Sequence, residues 1–135
     1  MEPQGLLTVY LPTTIDLGLN VYTEQVALGG FHTCAITNHN KLKCWGHNYR
    51  GQLGDGTTTD RYLPTTIDLG LNVNTEQVAL GEFHTCAITH DNKLKCWGWN
   101  EDGQLGDGTT TDRNLPTTID LHNYRGQLGD GTTTD

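Results

Sequence analysis

The sequence has few basic residues and no long apolar run. Of its 135 residues only 8 are Lys or Arg, against 16 Asp or Glu, so the formal net charge is −8. A partner that presents mainly phosphate groups requires a basic surface, and this balance therefore argues against nucleic acid as the main partner. No stretch approaches the roughly 20 apolar residues that cross a bilayer, so we predict no membrane partner.

Helical periodicity is also missing. Apolar residues do not recur at the spacing of an amphipathic helix, and the 17 glycines favour turns over core. The sequence contains instead short alternating segments, which are typical of half-buried strands. These features predict an all-β protein.

A 52-residue repeat organises the chain, because residues 11–60 align without gaps on residues 63–112 with 43 of 50 positions identical. We predict a lead-in over residues 1–10, repeat units over residues 11–62 and 63–114, and a truncated, partly disordered third repeat over residues 115–135. The third copy opens with LPTTIDL and then jumps to His122–Asp135, a duplicate of His47–Asp60. This duplicate has no hairpin of its own, so we expect it to be the least ordered segment.

Phe31–Gly46 and its copy Phe83–Gly98 each predict a β-hairpin. If Asn38–Asn40 form a three-residue loop, Cys34 faces Cys44 in the register of the two strands. Side chains alternate along a strand, so each hairpin has two faces. One face carries His32, Cys34, Ile36, Leu42 and Cys44, and the other carries Thr33, Ala35, Thr37, Lys43 and Trp45.

Two further strands are predicted to complete each unit. In the first unit they are Leu11–Leu17 and Glu24–Leu28, and the apolar residues of Glu24–Leu28 suit a crowded inner strand. His47–Asp60 is rich in Gly, Asp and Thr and predicts an ordered turn segment. Four short antiparallel strands per unit predict the blade of a β-propeller. The predicted fold class is therefore all-β, with about two antiparallel four-stranded blades.

The letters GFHTCAIT and LKCWGHNYRGQLGDGT resemble the regulator of chromosome condensation repeat, with its His-Thr/Ser-x-Ala-Leu, Trp-Gly-x-Asn and Gly-Gln-Leu-Gly motifs. Where that family often has an Asp-Gly turn, this chain has His39–Asn40 and Asp91–Asn92. Asn also adopts a left-handed backbone, so we expect the turn to form. The resemblance implies a ring of typically seven blades, of which this chain carries two.

Two blades leave two outer faces uncovered. The chain is therefore interpreted as a piece of a longer ring, a truncated product, or a protomer of a homo-oligomer that completes a ring with its own copies. The compartment is not determined. The first ten residues show no secretory signal, which slightly favours the cytoplasm, whereas oxidised cysteine pairs would favour an extracellular location.

The cysteines form two pairs, each cross-strand in a predicted hairpin, and are either disulfides or reduced apolar residues. We expect histidines on the apolar hairpin face to hydrogen-bond a backbone carbonyl, and tryptophans at the strand ends to pack between blades. The disulfide candidates are Cys34, Cys44, Cys86 and Cys96. The structural candidates are His32, His84, Trp45 and Trp97.

No motif predicts catalysis, a metal or a cofactor. GQLGDGTTTD recurs three times but lacks the Lys-Ser/Thr ending of a phosphate loop and the ligand spacing of a calcium loop. Its Asp and Thr side chains instead predict hydrogen bonds to the backbone.

The seven differences between residues 11–60 and residues 63–112 all fall between predicted strands, where loops tolerate change and also carry binding function. The aromatic and charged members are candidates for partner binding. They are Tyr22, His47, Tyr49, Arg50, Trp99, Glu101 and Asp102.

The leading functional hypothesis is a non-catalytic scaffold for protein–protein interaction. The family resemblance implies a first alternative, guanine-nucleotide exchange on a small GTPase. A second alternative is a secreted or cell-surface propeller whose blades are closed by disulfides.

Overall fold

The computed structural model describes residues 11–121, which form two antiparallel four-stranded sheets. The first sheet contains β1 (Thr23–Leu28), β2 (His32–Thr37), β3 (Leu42–Gly46) and β4 (Arg61–Ile67). The second contains β5 (Thr75–Leu80), β6 (His84–Thr89), β7 (Leu94–Gly98) and β8 (Arg113–Ile119). Each sheet is a meander in chain order. The predicted lead-in and the duplicate His122–Asp135 lie outside the described residues.

The hairpin register is confirmed. Cys34 lies opposite Cys44 on β2 and β3, and the Thr37 N–H donates to the Lys41 carbonyl at 2.9 Å to close the three-residue turn. Asn40 in this turn has φ 62° and Asn92 in its copy has φ 65°. Asn enters the left-handed region more readily than most residues, so it can replace the glycine of the family's turn.

The fourth strand of each sheet corrects the predicted blade. Leu11–Leu17, expected as the first strand, forms no strand. The LPTTIDL sequence of each following unit provides the last strand of the sheet instead. Ile67 of β4 pairs with Leu42 of β3, and Ile119 of β8 pairs with Leu94 of β7. This segment pairs with the edge of the hairpin that precedes it in the chain, and Leu11 is the first described residue. Each sheet therefore crosses a repeat boundary, and the start of the truncated third repeat completes the second sheet.

Each sheet has a cysteine face and a tryptophan face. In the first sheet the cysteine face is the one that carries Cys34, Ile36 and Leu42, and the tryptophan face carries Trp45; the second sheet has the corresponding faces. The cysteine face of the first sheet packs on the tryptophan face of the second, where Trp97 is 0% exposed. Because the cysteine face of one sheet meets the tryptophan face of the other, both sheets present the same face in the same direction along the stack, an arrangement that we call head to tail.

The predicted ordered turn segment His47–Asp60 forms no strand and is organised by a buried amide. Asn48 donates from Nδ2 to the carbonyls of Thr57 and Thr59, at 3.0 and 2.9 Å, and accepts at Oδ1 from the Leu53 N–H at 2.9 Å. These bonds direct the Leu53 side chain into the core between the sheets. Asn100 makes the equivalent bonds in the second unit.

β1 is not the crowded strand that the sequence predicted. Val26 is 60% and Leu28 is 73% exposed. Their copies Val78 and Leu80 are partly buried against the first sheet. Val26 and Leu28 pair with residues of the tryptophan face, and in the described chain no sheet covers that face of the first sheet.

Candidate protein-binding surface

Aromatic side chains gather at the end of the two sheets where β2 and β6 begin. The Phe31 ring stacks on the Phe83 ring with centroids 5.2 Å apart. The His47 ring lies 6.0 Å from Phe31 and 6.2 Å from Tyr49, and Trp99 meets Phe83 edge-on at 5.9 Å. We call these five residues, Phe31, His47, Tyr49, Phe83 and Trp99, the aromatic edge.

The hairpin register produces this cluster. Because His32 pairs with Gly46, the residues just outside that pair, Phe31 and His47, are neighbours, and the His47 N–H donates to the Phe31 carbonyl at 2.9 Å. The Trp99 N–H makes the same bond to Phe83 in the second unit, also at 2.9 Å. Stacking of the sheets then brings the two pairs together.

Arg50 connects the two units at the aromatic edge. Its Cζ lies 5.4 Å from the centroid of the Tyr49 ring and 5.7 Å from that of the Trp99 ring. Nη1 donates to Glu101 Oε2 at 2.8 Å and to Asp112 Oδ2 at 3.5 Å. The hydrogen bond to Glu101 is the main reason that the pKa of Arg50 is raised above its usual value. Arg50 therefore remains a fixed cation that links both repeats.

Part of this surface is open to solvent. Phe31 is 54% and Tyr49 is 67% exposed, and the Glu101 side chain is 56% exposed. Asp102, the next residue, is also exposed. Rings and carboxylates thus form one mixed surface.

Tyr22 lies at the opposite end of the first sheet. Its N–H donates to Asn38 Oδ1, in the turn between β2 and β3, at 2.9 Å. The structure therefore separates Tyr22 from the other partner-binding candidates. Those that it groups at one end are His47, Tyr49, Arg50, Trp99, Glu101 and Asp102.

Phe31 and Phe83 were missed as candidates from the sequence. Both units have Phe at this position, so a comparison of the units could not single it out. A usable signal was present, however. Each Phe directly precedes a residue of the apolar hairpin face and lies just outside the paired part of the hairpin, where a large apolar ring remains partly exposed.

His32 lies between the sheets. Its Nε2 donates to the Thr85 hydroxyl at 2.8 Å, and that hydroxyl donates its own proton to the Gln52 carbonyl at 2.7 Å. The expected partner was a backbone carbonyl, but the direct partner is a hydroxyl of the second sheet. Burial, followed by the nearby His84 and His47, lowers the pKa of His32 to about 4. Burial also lowers the pKa of His84, which is half-buried.

The two structural tryptophans differ in their surroundings. Trp97 is fully buried, and a Cβ added at Gly54 would lie 2.6 Å from its Nε1. Trp45, at the same position of the first unit, is half-buried on the uncovered tryptophan face. Packing between sheets is therefore seen for Trp97.

Both cysteine pairs are disulfide-bonded, Cys34 to Cys44 and Cys86 to Cys96. Each bond joins directly opposite residues of a hairpin. Cys34 and Cys44 are 0% exposed between the sheets, whereas Cys86 lies half-buried on the open cysteine face.

Within residues 11–121, no group of three or more His, Cys, Asp or Glu side chains is arranged to hold a metal ion. The same residues include no helix of the length and apolar character needed to span a membrane.

Stacked antiparallel meanders that meet through opposite faces are blades of a β-propeller. Two models of the Regulator of chromosome condensation (RCC1) repeat match the chain, one at residues 24–52 and 76–104 and the other at residues 42–88 and 91–121. The chain belongs to the RCC1 repeat family.

Similar proteins are much longer than this chain. Ultraviolet-B receptor UVR8 of Arabidopsis thaliana is 36% identical over 111 residues, which cover 82% of this chain and 25% of the receptor. Probable E3 ubiquitin-protein ligase HERC4 of Homo sapiens is 32% identical over 112 residues, which cover 82% of this chain and 11% of the ligase. This chain thus spans a quarter or less of the length of these relatives.

Solved structures show the same fold. Prp20p from Saccharomyces cerevisiae, described with its binding to Gsp1p and histones, superposes with a TM-score of 0.72 at 22% identity, over 80% of this chain and 28% of that one. Human WBSCR16 superposes with a TM-score of 0.67 at 25% identity, over 73% of this chain and 26% of that one.

Proposed function

We propose that this chain is a non-catalytic scaffold whose aromatic edge binds a basic segment of a partner protein. The observation that carries the proposal is the cluster of rings from both units around Arg50, with Phe31 and Tyr49 open to solvent. Aromatic side chains and Arg are enriched at protein interfaces, where they supply most of the binding energy.

The charge around the aromatic edge favours a basic partner. Arg50 is already paired with Glu101 and Asp112. Two further carboxylates, Glu82 and Asp102, are exposed and lie close in the sequence to residues of the aromatic edge. The chain as a whole carries a formal charge of −8. A Lys or Arg side chain of the partner can lie over an exposed ring and pair with a carboxylate at the same time.

The comparisons support a protein partner. Prp20p is described as binding Gsp1p and histones, and histones are basic proteins. The family resemblance also supports the alternative hypothesis of nucleotide exchange on a small GTPase.

A pair of tyrosine variants tests the proposal. Purified core histones serve as the basic probe, and binding is measured by titration calorimetry at low salt. We expect Tyr49→Ala to weaken binding by about tenfold or more, because it removes an exposed ring of the surface. Tyr22→Ala is the matched control, since Tyr22 is 65% exposed against 67% for Tyr49 but lies at the opposite end of the sheet.

Equal losses for the two variants, or no binding of the basic probe, would contradict the proposal. Faster nucleotide release from small GTPases on addition of the chain would favour the exchange hypothesis instead.

A further inference from the structure

Two sheet faces have no neighbouring sheet among residues 11–121, and they carry nearly the same residues as the two faces that meet inside the chain. On the open cysteine face of the second sheet, Ile88 is 37% exposed, whereas its copy Ile36 is 2% exposed in the internal interface. On the open tryptophan face of the first sheet, Leu28 is 73% exposed, whereas its copy Leu80 packs against the core. Each open face therefore lacks a neighbour of a kind that the chain itself carries at its other end.

Glycines of the turn segments have close neighbours in the first unit but not in the second. A Cβ added at Gly51 would lie 2.7 Å from Asn114 Cα, and one at Gly54 would lie 2.6 Å from Trp97 Nε1. The corresponding Gly103 has no described atom within 4 Å, and Gly106 has only Ile119 Cγ2, at 3.7 Å. The second unit thus retains the glycines that admit a tryptophan face, and within residues 11–121 no neighbouring sheet lies in front of them.

We propose that the cysteine face of the second sheet binds the tryptophan face of the first sheet in another copy of this chain. The arrangement repeats the step that relates the two sheets within one chain. Trp45 of the second copy then lies beside Gly106 as Trp97 lies beside Gly54. The Thr33 hydroxyl of the second copy accepts from His84 as Thr85 accepts from His32.

The differences between the units do not obstruct this contact. Seven of the eight differences lie outside the strands. The eighth places Tyr62 on β4 where β8 has Asn114, so Tyr62 of the second copy lies opposite Gly103 as Asn114 lies opposite Gly51. The Tyr62 side chain is 88% exposed, and the other strand residues of the new interface match those of the internal one.

The rim of the contact changes as well. The internal interface has the ion pair between Arg50 and Glu101, whereas the new one brings Asp102 towards Tyr49 of the second copy. The apolar faces therefore supply the association energy.

The contact joins two different faces, so it is heterologous and each added copy exposes a new free face. The assembly either closes into a ring or grows as an open stack. Residues 11–121 of each copy contribute two sheets, so a ring closed by these sheets alone contains an even number of blades.

Sedimentation velocity of the full chain over a range of concentrations tests the proposal. We expect species larger than the monomer that dissociate on dilution. Ile88→Glu and Leu28→Glu place a charge on one face each, and each should raise the dissociation constant by about 100-fold or more. Leu71→Glu is the control, because Leu71 lies in the loop between the sheets and is 91% exposed.

A mixture of the Ile88→Glu and Leu28→Glu variants distinguishes a head-to-tail contact from any other. Each variant retains one intact face, so the mixture should form a one-to-one pair and nothing larger. A wild-type chain that stays monomeric at all concentrations would overturn the proposal. So would a mixture that forms no pair, or an association that is equally sensitive to Leu71→Glu.

Discussion

His32 shows how one side chain makes the contact between the sheets dependent on pH. Its Nε2 donates to Thr85, while its Nδ1 is buried and has no hydrogen-bond partner in the described structure. A proton added at Nδ1 would place a charge between the two sheets with no acceptor to bind it. The site therefore holds the imidazole neutral.

We predict that this histidine makes the protein less stable in mild acid. The folded-state pKa of about 4 lies below the ordinary 6.5, so the unfolded chain binds the proton more readily. The stabilisation is complete above pH 6.5 and is lost as the pH falls towards 4, by up to about 3 kcal/mol at roughly 1.4 kcal/mol per unit of pKa. Urea unfolding at about pH 7 and about pH 4.5 measures the loss.

A variant and a neighbour serve as controls for this pH dependence. His32→Gln has no titrating group and should remove most of the slope, while His84→Gln should leave most of it. Asp107, whose pKa is lowered to about 2, stays ionised in this range. An unchanged slope in His32→Gln would assign the effect to another group.

Among the elements, the hairpin is the most strongly constrained. Its register, its three-residue turn and its disulfide all agree on one pairing, because Cys34 opposes Cys44 only when the loop is centred on His39. The second hairpin has the same arrangement but lies on the open side of the stack.

We predict that the chain has no free thiols in non-reducing denaturant and that reduction destabilises it. Each disulfide closes a short loop, with a sequence separation of 10, and should contribute about 3 kcal/mol to the free energy of unfolding. A mild reductant should open Cys86–Cys96 first, because Cys86 is half-buried whereas Cys34 and Cys44 are fully buried. Alkylation followed by peptide mass spectrometry gives the order.

Four free thiols in protein from its native source would contradict this prediction and, with it, the hypothesis of a secreted or cell-surface propeller. Simultaneous opening of both pairs would show that burial between the sheets does not protect the first.

At the scale of the whole molecule, stacking makes identical residues inequivalent. Ile36 and Ile88 occupy the same position in the two units, yet Ile36 is 2% exposed and Ile88 is 37% exposed. The difference arises only because the first sheet has a neighbour on its cysteine face.

We predict that truncation of these two isoleucines has unequal effects. Ile36→Ala should lower the free energy of unfolding by about 2–5 kcal/mol, the usual range for a buried Ile. Ile88→Ala should cost about 1 kcal/mol or less, since part of its side chain is already in water. Urea unfolding of the monomer, at concentrations too low for self-association, measures both. Equal losses would contradict the stacking of the first sheet on the second.

Much of this protein follows from its sequence. The repeat, the hairpin register, the left-handed Asn40 and the all-β blades could be predicted, because strand alternation and turn chemistry act between residues close in the chain. Most of the candidate surface could also be found, since the differences between the units fall in the loops that form it.

The tertiary structure decided which surfaces meet. It assigned LPTTIDL to the sheet of the preceding hairpin, separated Tyr22 from the other candidates, and brought the identical Phe31 and Phe83 into contact. It also buried one copy of each face and left the other open. The sequence repeats these residues almost unchanged, so only the position of each copy in the stack, which depends on contacts between distant segments, determines its environment.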